Sequence, residues 1–316
     1  MSTEQRQERY NHISIFPGHR YTKDEFLELQ NQGLLRVFPE KPEAEIMREF
    51  NGIKDELAGK TVLIIMDGHR RYAEENGIPL AESHKLGVKR LFEHCQLLFP
   101  IGMNIIAWGF SNDNWERTEE TGQIFDSAIE SLSKYSYLLQ VMSVRFLHIG
   151  RKDRMPVGLV DQINKLENAT LKNTGPILEL AADFGSKGKL DDEAQRILIR
   201  MLNEVKEGRL RIKDIVPDLV NKFMDDGGLL SKVDYVIRPG RRLTDSGFSR
   251  LRIEDANFEY SELLMPELTA THVAQILTTM VQEDEEKAGR WDDSFGDLFL
   301  PPDPIKKNNL PFILTI

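Results

Sequence analysis

The chain has 316 residues, 51 acidic against 41 basic side chains, a formal charge of −10 and a hydrophobic fraction of 40%. That balance excludes a wholly disordered or fibrous chain, and the length is enough for one large domain or two small ones. The acidic charge argues against broad nucleic-acid binding. The single cysteine, Cys95, rules out an internal disulfide framework, and no apolar run reaches the ~20 residues of a membrane helix.

Residues 1–60 are polar and predict an appended helical layer. A short helix is expected near Lys23–Gln32 and a clearer one over Pro42–Leu57, where Ile46, Phe50, Ile53 and Leu57 recur at helical spacing. The polar start shows no secretory pattern, so a cytoplasmic protein is the expectation. From Thr61 the pattern changes. Thr61–Met66 is a continuous apolar, β-branched run, the mark of a strand buried on both faces. Similar runs follow at Met103–Phe110, Val144–Ile149, Ile177–Ala182 and Val233–Ile237. Helical patterns lie between them at Lys85–Phe99, Thr121–Val141, Leu159–Lys172 and Asp191–Lys206. The alternation predicts an α/β fold, a central mostly parallel sheet with helices on both faces. The expected division is an N-terminal extension (1–60), a catalytic domain (61–290) and a C-terminal tail (291–316) that is charged and then proline-rich.

In such sheets ligands bind beyond the carboxyl ends of the strands. The first strand ends in Asp67-Gly68-His69-Arg70-Arg71. Backbone N–H groups and arginines there can cradle a phosphate, and Asp67 can hold Mg²⁺ against a diphosphate. The blander alternative is a helix cap beside a solvated basic face. The second strand runs into Ser111, Asn114, Trp115 and Arg117, and the fifth into Arg238, Arg241 and Arg242, with Ser246 shortly after. Cys95, His94 and His148 are expected to be structural.

Taken in order, these pieces resemble the cis-prenyltransferase family, that of undecaprenyl diphosphate synthase. The matching stretches are Met66–Ala73, Ser83-His84-Lys85-Leu86-Gly87, Phe110–Arg117, Ile149–Pro156, Asp183–Ser186 and Asp234–Gly240. The resemblance implies a Mg²⁺-dependent enzyme, a homodimer without a membrane span, acting on an allylic prenyl diphosphate. By carry-over, Asp67 would hold Mg²⁺ and assist departure of diphosphate, and Ser111 and Asn114 would orient the reacting groups and relay a proton. Gly68, His69, Arg70, Arg71, His84 and Arg117 would bind the allylic diphosphate. Arg238, Arg242 and Ser246 would bind a second diphosphate.

The departures cluster in the site. His69 and Arg70 stand where the family has Asn and Gly, Leu80 replaces a diphosphate-binding Arg, Arg242 replaces Glu, and Leu251-Arg252 replaces Trp-Gln. The family's second metal-binding Glu falls on Asn257, with Asp255 or Glu259 as candidate replacements. Three readings follow. One is an irregular enzyme that ionises an allylic diphosphate and joins units head-to-middle or cyclises the product. The others are an ordinary chain-elongating synthase and a catalytically silent partner subunit.

Overall fold

The computed structural model describes residues 19–116, 118–185 and 191–292. Six strands form one sheet: β1 (Thr61–Ile65), β2 (Asn104–Phe110), β3 (Arg145–Ile149), β4 (Ile177–Ala182), β5 (Tyr235–Arg238) and β6 (Asn257–Tyr260). Their spatial order is β3-β4-β2-β1-β5-β6. Every neighbouring pair is parallel. All five residues of β1 are buried. Val62 and Ile64 enter one core, while Leu63 and Ile65 enter the other. This alternation is why the run reads as apolar throughout.

The helices are α1 (Lys23–Asn31), α2 (Glu43–Gly52), α3 (Lys54–Leu57), α4 (His69–Asn76), α5 (Leu80–Leu98), α6 (Thr118–Val141), α7 (Val157–Thr170), α8 (Asp192–Lys206), α9 (Pro217–Lys222), α10 (Arg250–Ile253) and α11 (Ala270–Asp292). On the larger core, α6 packs between α5 and α7, and α11 lies against α2 and α5. On the other face, Leu230, Val233, Phe248 and Ile253 cover the sheet. Beside them Ile197 of α8 packs with Met201 and Met224.

The α/β sheet with helices on both faces is as expected, with differences in detail. The anticipated helix over Pro42–Leu57 breaks at Gly52-Ile53 into α2 and α3. Helix α5 begins five residues earlier than its apolar stripe, immediately after Pro79. Strand β6 and helix α11 were not among the expected elements. Cys95 is buried, and the rings of His94 and His148 bond the carbonyls of Leu268 and Ala182.

One departure from the family pattern is explained by the second face. Arg252 is fully buried and pairs with Glu179 of β4, Glu193 of α8 and Asp226. Burial drives the Glu179 carboxyl well above its usual range, with Arg252 opposing. Arg252 therefore belongs to an internal ionic cluster that ties α8 and α10 to the sheet.

Candidate active site

Strands β1 and β5 are neighbours in register, Ile64 beside Ile237, so their carboxyl ends open at the same place. From β1 the chain continues through Asp67 to Gly68, whose φ is +102°. A Cβ there would lie 2.9–3.1 Å from atoms of Leu264, so a glycine is needed. The Gly68 N–H donates to Asp67 Oδ1 at 2.6 Å. Arg238, at the end of β5 and 2% exposed, donates from Nη2 to Asp67 Oδ2 at 2.8 Å. Arg71 and Arg242 approach the same carboxylate at 3.7 and 3.8 Å.

Burial raises the Asp67 pKa, but Arg238, Arg71 and Arg242 together outweigh it and hold the carboxyl below its usual range. Burial pushes Arg238 down to about 10, against the pull of Asp67. The converging groups keep unused hydrogen-bonding capacity: Arg238 Nε, Arg242 Nε, Arg71 Nη1 and Ser246 Oγ are buried with no partner. Buried donors in this state mark a place for an acceptor-rich ligand. Ser246 also has a φ of +54°, and Arg241, in the same loop, +51°. That is backbone strain of the kind concentrated at functional loops.

His69 and His84 pair edge to face, with ring centroids 4.8 Å apart. His69 Nδ1 donates to the Ser83 carbonyl at 3.2 Å, and Ser83 Oγ donates to the His69 carbonyl at 2.8 Å. The ring occupies the space over Gly87, where a Cβ would come within 2.0 Å of it. Burial lowers both pKa values, that of His84 to about 3. Near neutral pH these two residues therefore offer hydrogen bonds, not charge.

At the end of β2, Ser111 Oγ donates to Asn114 Oδ1 at 3.1 Å. Trp115 is anchored by its Nε1–H to Asp183 at 2.8 Å. Behind these groups a cavity of about 220 Å³ runs inward, bounded by Asp67, Arg70, Arg238 and Ser246 at its mouth. Its walls are apolar, with Leu91 and Phe92 from α5, Phe125 and Leu132 from α6, Phe146 from β3 and Leu159 from α7. A polar, cationic mouth over an apolar tunnel matches an amphiphile with an anionic head.

Most of the residues singled out from the sequence thus come together: Asp67, Gly68, His69, Arg70, His84, Ser111, Asn114, Arg238, Arg242 and Ser246 line the cavity or its mouth. Arg71 joins them through Asp67. Arg117 lies outside the described residues. Arg241 turns away to pair with Glu75 at 2.7 Å. The family resemblance implies a tunnel for the prenyl tail between helices and sheet, but the individual side chains that wall the cavity, on the inward stripes of α5 and α6, were not named from the sequence.

Asp255 and Glu259 do not reach Asp67. Asp255 precedes β6, and its side chain is 78% exposed beside Lys232. Glu259 is level with Ile237 and accepts from Arg36 Nη1 at 2.9 Å. Arg36 also bonds Asn257 Oδ1 at 2.9 Å, so the link between α1 and α2 occupies the place of the expected second metal ligand. Among the described residues there is no group of three or more His, Cys, Asp and Glu placed to hold a metal. A lone carboxylate beside a diphosphate still suits Mg²⁺, which takes one or two protein carboxylates and completes its shell with phosphate oxygens and water. Asp67 fits that role.

Comparison with known proteins agrees with this geometry. Residues 65–289 match the family model described as "putative undecaprenyl diphosphate synthase". A ditrans,polycis-undecaprenyl-diphosphate synthase of Photorhabdus laumondii is 31% identical over 67% of this chain and 82% of its own length. A (2Z,6Z)-farnesyl diphosphate synthase of Solanum lycopersicum is 27% identical over 80% of this chain and 84% of its own. Among solved structures, lavandulyl diphosphate synthase from Lavandula x intermedia, in complex with dimethylallyl diphosphate, superposes with a TM-score of 0.67. The identity there is 23%, with 72% of this chain and 96% of that one covered. Parallel sheet, strand-end aspartate, arginine-lined mouth and matched length together place this chain in the undecaprenyl diphosphate synthase family of cis-prenyltransferases.

Proposed function

We propose that this prenyltransferase is a non-standard one. It ionises an allylic prenyl diphosphate and either couples it head-to-middle to a second isoprenoid unit or cyclises it, releasing diphosphate. The observation that carries the reading is the asymmetry of the site. Asp67, Ser111 and Asn114 stand ready at one side, while Arg242 replaces the family's Glu and points at Asp67 from the other.

In the reaction the C1–oxygen bond of the allylic diphosphate breaks and its electron pair leaves with the diphosphate. Arg71 surrounds that charge as it builds together with Arg238 and Arg242, which the family resemblance gave to a second diphosphate but which here converge on Asp67, inside a recess where preorganised cations are worth most. The neutral imidazole of His84, whose Nδ1 is buried without a partner, supplies a further hydrogen bond. Mg²⁺ held by Asp67 would neutralise the leaving group. The prenyl tail lies in the apolar tunnel, which excludes water from the allylic cation. The π electrons of the second double bond form the new carbon–carbon bond, and the proton then lost passes through Ser111 Oγ to a diphosphate oxygen. The lavender enzyme, a structural neighbour named for lavandulyl diphosphate, supports this class of coupling. The outward Leu198, Ile199 and Leu202 of α8 offer an apolar face for a homodimer.

Ordinary elongation is the second reading, favoured by the apolar lining of the tunnel, which extends to Phe146 of β3 and Leu159 of α7. One experiment separates them. The protein is incubated with Mg²⁺ and dimethylallyl, geranyl or farnesyl diphosphate, with and without isopentenyl diphosphate, and products are read by mass spectrometry. Product from allylic diphosphate alone is expected. A strict need for isopentenyl diphosphate would establish elongation, and silence with every substrate would point to a partner subunit.

A further inference from the structure

We propose that Arg20 is a ligand of the substrate diphosphate, so that the N-terminal layer completes the active-site mouth from within the same chain. The proposal rests on the prenyl diphosphate reading above. Arg20 lies 45 residues before the family-matched region begins at residue 65, and no strand-end motif points to it.

Three observations converge on it. The first is position: Arg20 lines the same recess as Asp67, Gly68, Arg70, Arg71 and Arg242. The second is anchorage. Tyr21 is 5% exposed and packs with Phe26 and Leu29 of α1, against Leu243 and Tyr260. Its N–H donates to the Arg241 carbonyl at 3.2 Å, and the Arg241 side chain is in turn held by Glu75 of α4. Thr22 then starts α1 with a reciprocal cap to Glu25. The residue after Arg20 is thus fixed to the diphosphate-binding loop itself, while Arg20 remains exposed over the recess.

The third observation is charge. Arg20 lines this recess together with Arg71, Arg242 and the carboxylates Asp67 and Glu74, and lines a neighbouring recess together with Arg71 and Arg241. Glu75 occupies Arg241, and Asp67 is shared by Arg238, Arg71 and Arg242. No carboxylate among the described residues pairs with Arg20, and Arg71 Nη1 is buried without an acceptor. Guanidinium groups crowded in this way repel one another unless an anion lies between them. A diphosphate, with several oxygens over two phosphorus centres, can bridge Arg71 and Arg20 at once.

The test uses the full chain with Arg20→Ala and Arg20→Lys. Inorganic pyrophosphate is titrated calorimetrically, with and without Mg²⁺, and KM is measured for the allylic diphosphate that turns over. Loss of one charge-assisted contact predicts about tenfold weaker pyrophosphate binding in Arg20→Ala, a similar rise in KM, and partial recovery in Arg20→Lys. The thermal midpoint should not move, because the side chain is exposed. Equal pyrophosphate affinity in wild type and Arg20→Ala overturns the inference and leaves the proposed function standing. Failure of the wild type to bind pyrophosphate at all overturns both.

Discussion

Replacing Asp67 by Asn should act in opposite directions on binding and turnover. The carboxylate sits 2.8 Å from Arg238, 3.7 Å from Arg71 and 3.8 Å from Arg242. A diphosphate held by the same three arginines would have an anionic oxygen about 5 Å from Asp67. Two unit charges at that separation repel by about 3 kcal/mol at an effective dielectric of about 20. The Asp67 side chain is 32% exposed, so solvent and salt cut this roughly in half. About 1.5 kcal/mol remains, close to a tenfold change in affinity. Without Mg²⁺, therefore, Asp67→Asn should bind inorganic pyrophosphate about tenfold more tightly than wild type, and pyrophosphate should raise its thermal midpoint further. With Mg²⁺ and allylic substrate, turnover should fall by about 10³-fold, because the group that would hold the metal is gone. Calorimetric titration in EDTA, paired with a diphosphate-release assay, reads both. Unchanged or weaker pyrophosphate binding by the variant in EDTA would refute the idea that Asp67 and the substrate compete for the same arginines.

Two further predictions concern the tunnel and a buried acid. Ser131 of α6 lines the tunnel and is 7% exposed, so Ser131→Trp should fill its deeper part at a packing cost of about 1–3 kcal/mol. Use of farnesyl diphosphate should then fall about tenfold more than use of dimethylallyl diphosphate. Competition between the two substrates measures this, and an unchanged preference would remove Ser131 from the tail site. Burial pushes Glu259 up to about 7, with the Arg36 pair only partly offsetting it. A carboxyl whose folded pKa is raised binds its proton more tightly in the folded state. Its contribution is complete below the unfolded value near 4.5 and is lost as pH rises through about 7. Glu259→Gln should therefore gain stability relative to wild type between pH 5 and pH 8, by at most about 3 kcal/mol. Thermal midpoints at the two pH values test it, and a pH-independent difference would show that Glu259 does not titrate in that window.

The sheet was legible in the sequence because strands buried on both faces must be apolar at every position, as Thr61–Ile65 is. The placement of Asp67, Ser111 and Arg238 at one end of the sheet was legible for a related reason: each lies at or just beyond the end of one of those runs, and parallel strands end on the same side. The two elements not anticipated carry weaker local signals. Strand β6 has four residues and alternates polar and aromatic side chains, and α11 carries acids over its second half. Their formation depends on the β5 edge and on the α2–α5 surface that they cover.

What sequence could not decide is where each charged side chain turns. Arg238, Arg241 and Arg242 are equivalent as letters. The left-handed backbone at Gly240 and Arg241 sends Arg241 to Glu75 and leaves the other two on Asp67. Asp255 and Glu259 looked like spare metal ligands until Arg36, more than 200 residues away in sequence, clamped Asn257 and Glu259. Arg20 reaches the mouth by the same long-range route. Apolar burial is dictated by local pattern, because any core accepts an apolar face. An ion pair needs one particular partner at one distance, and only the folded chain brings that partner there.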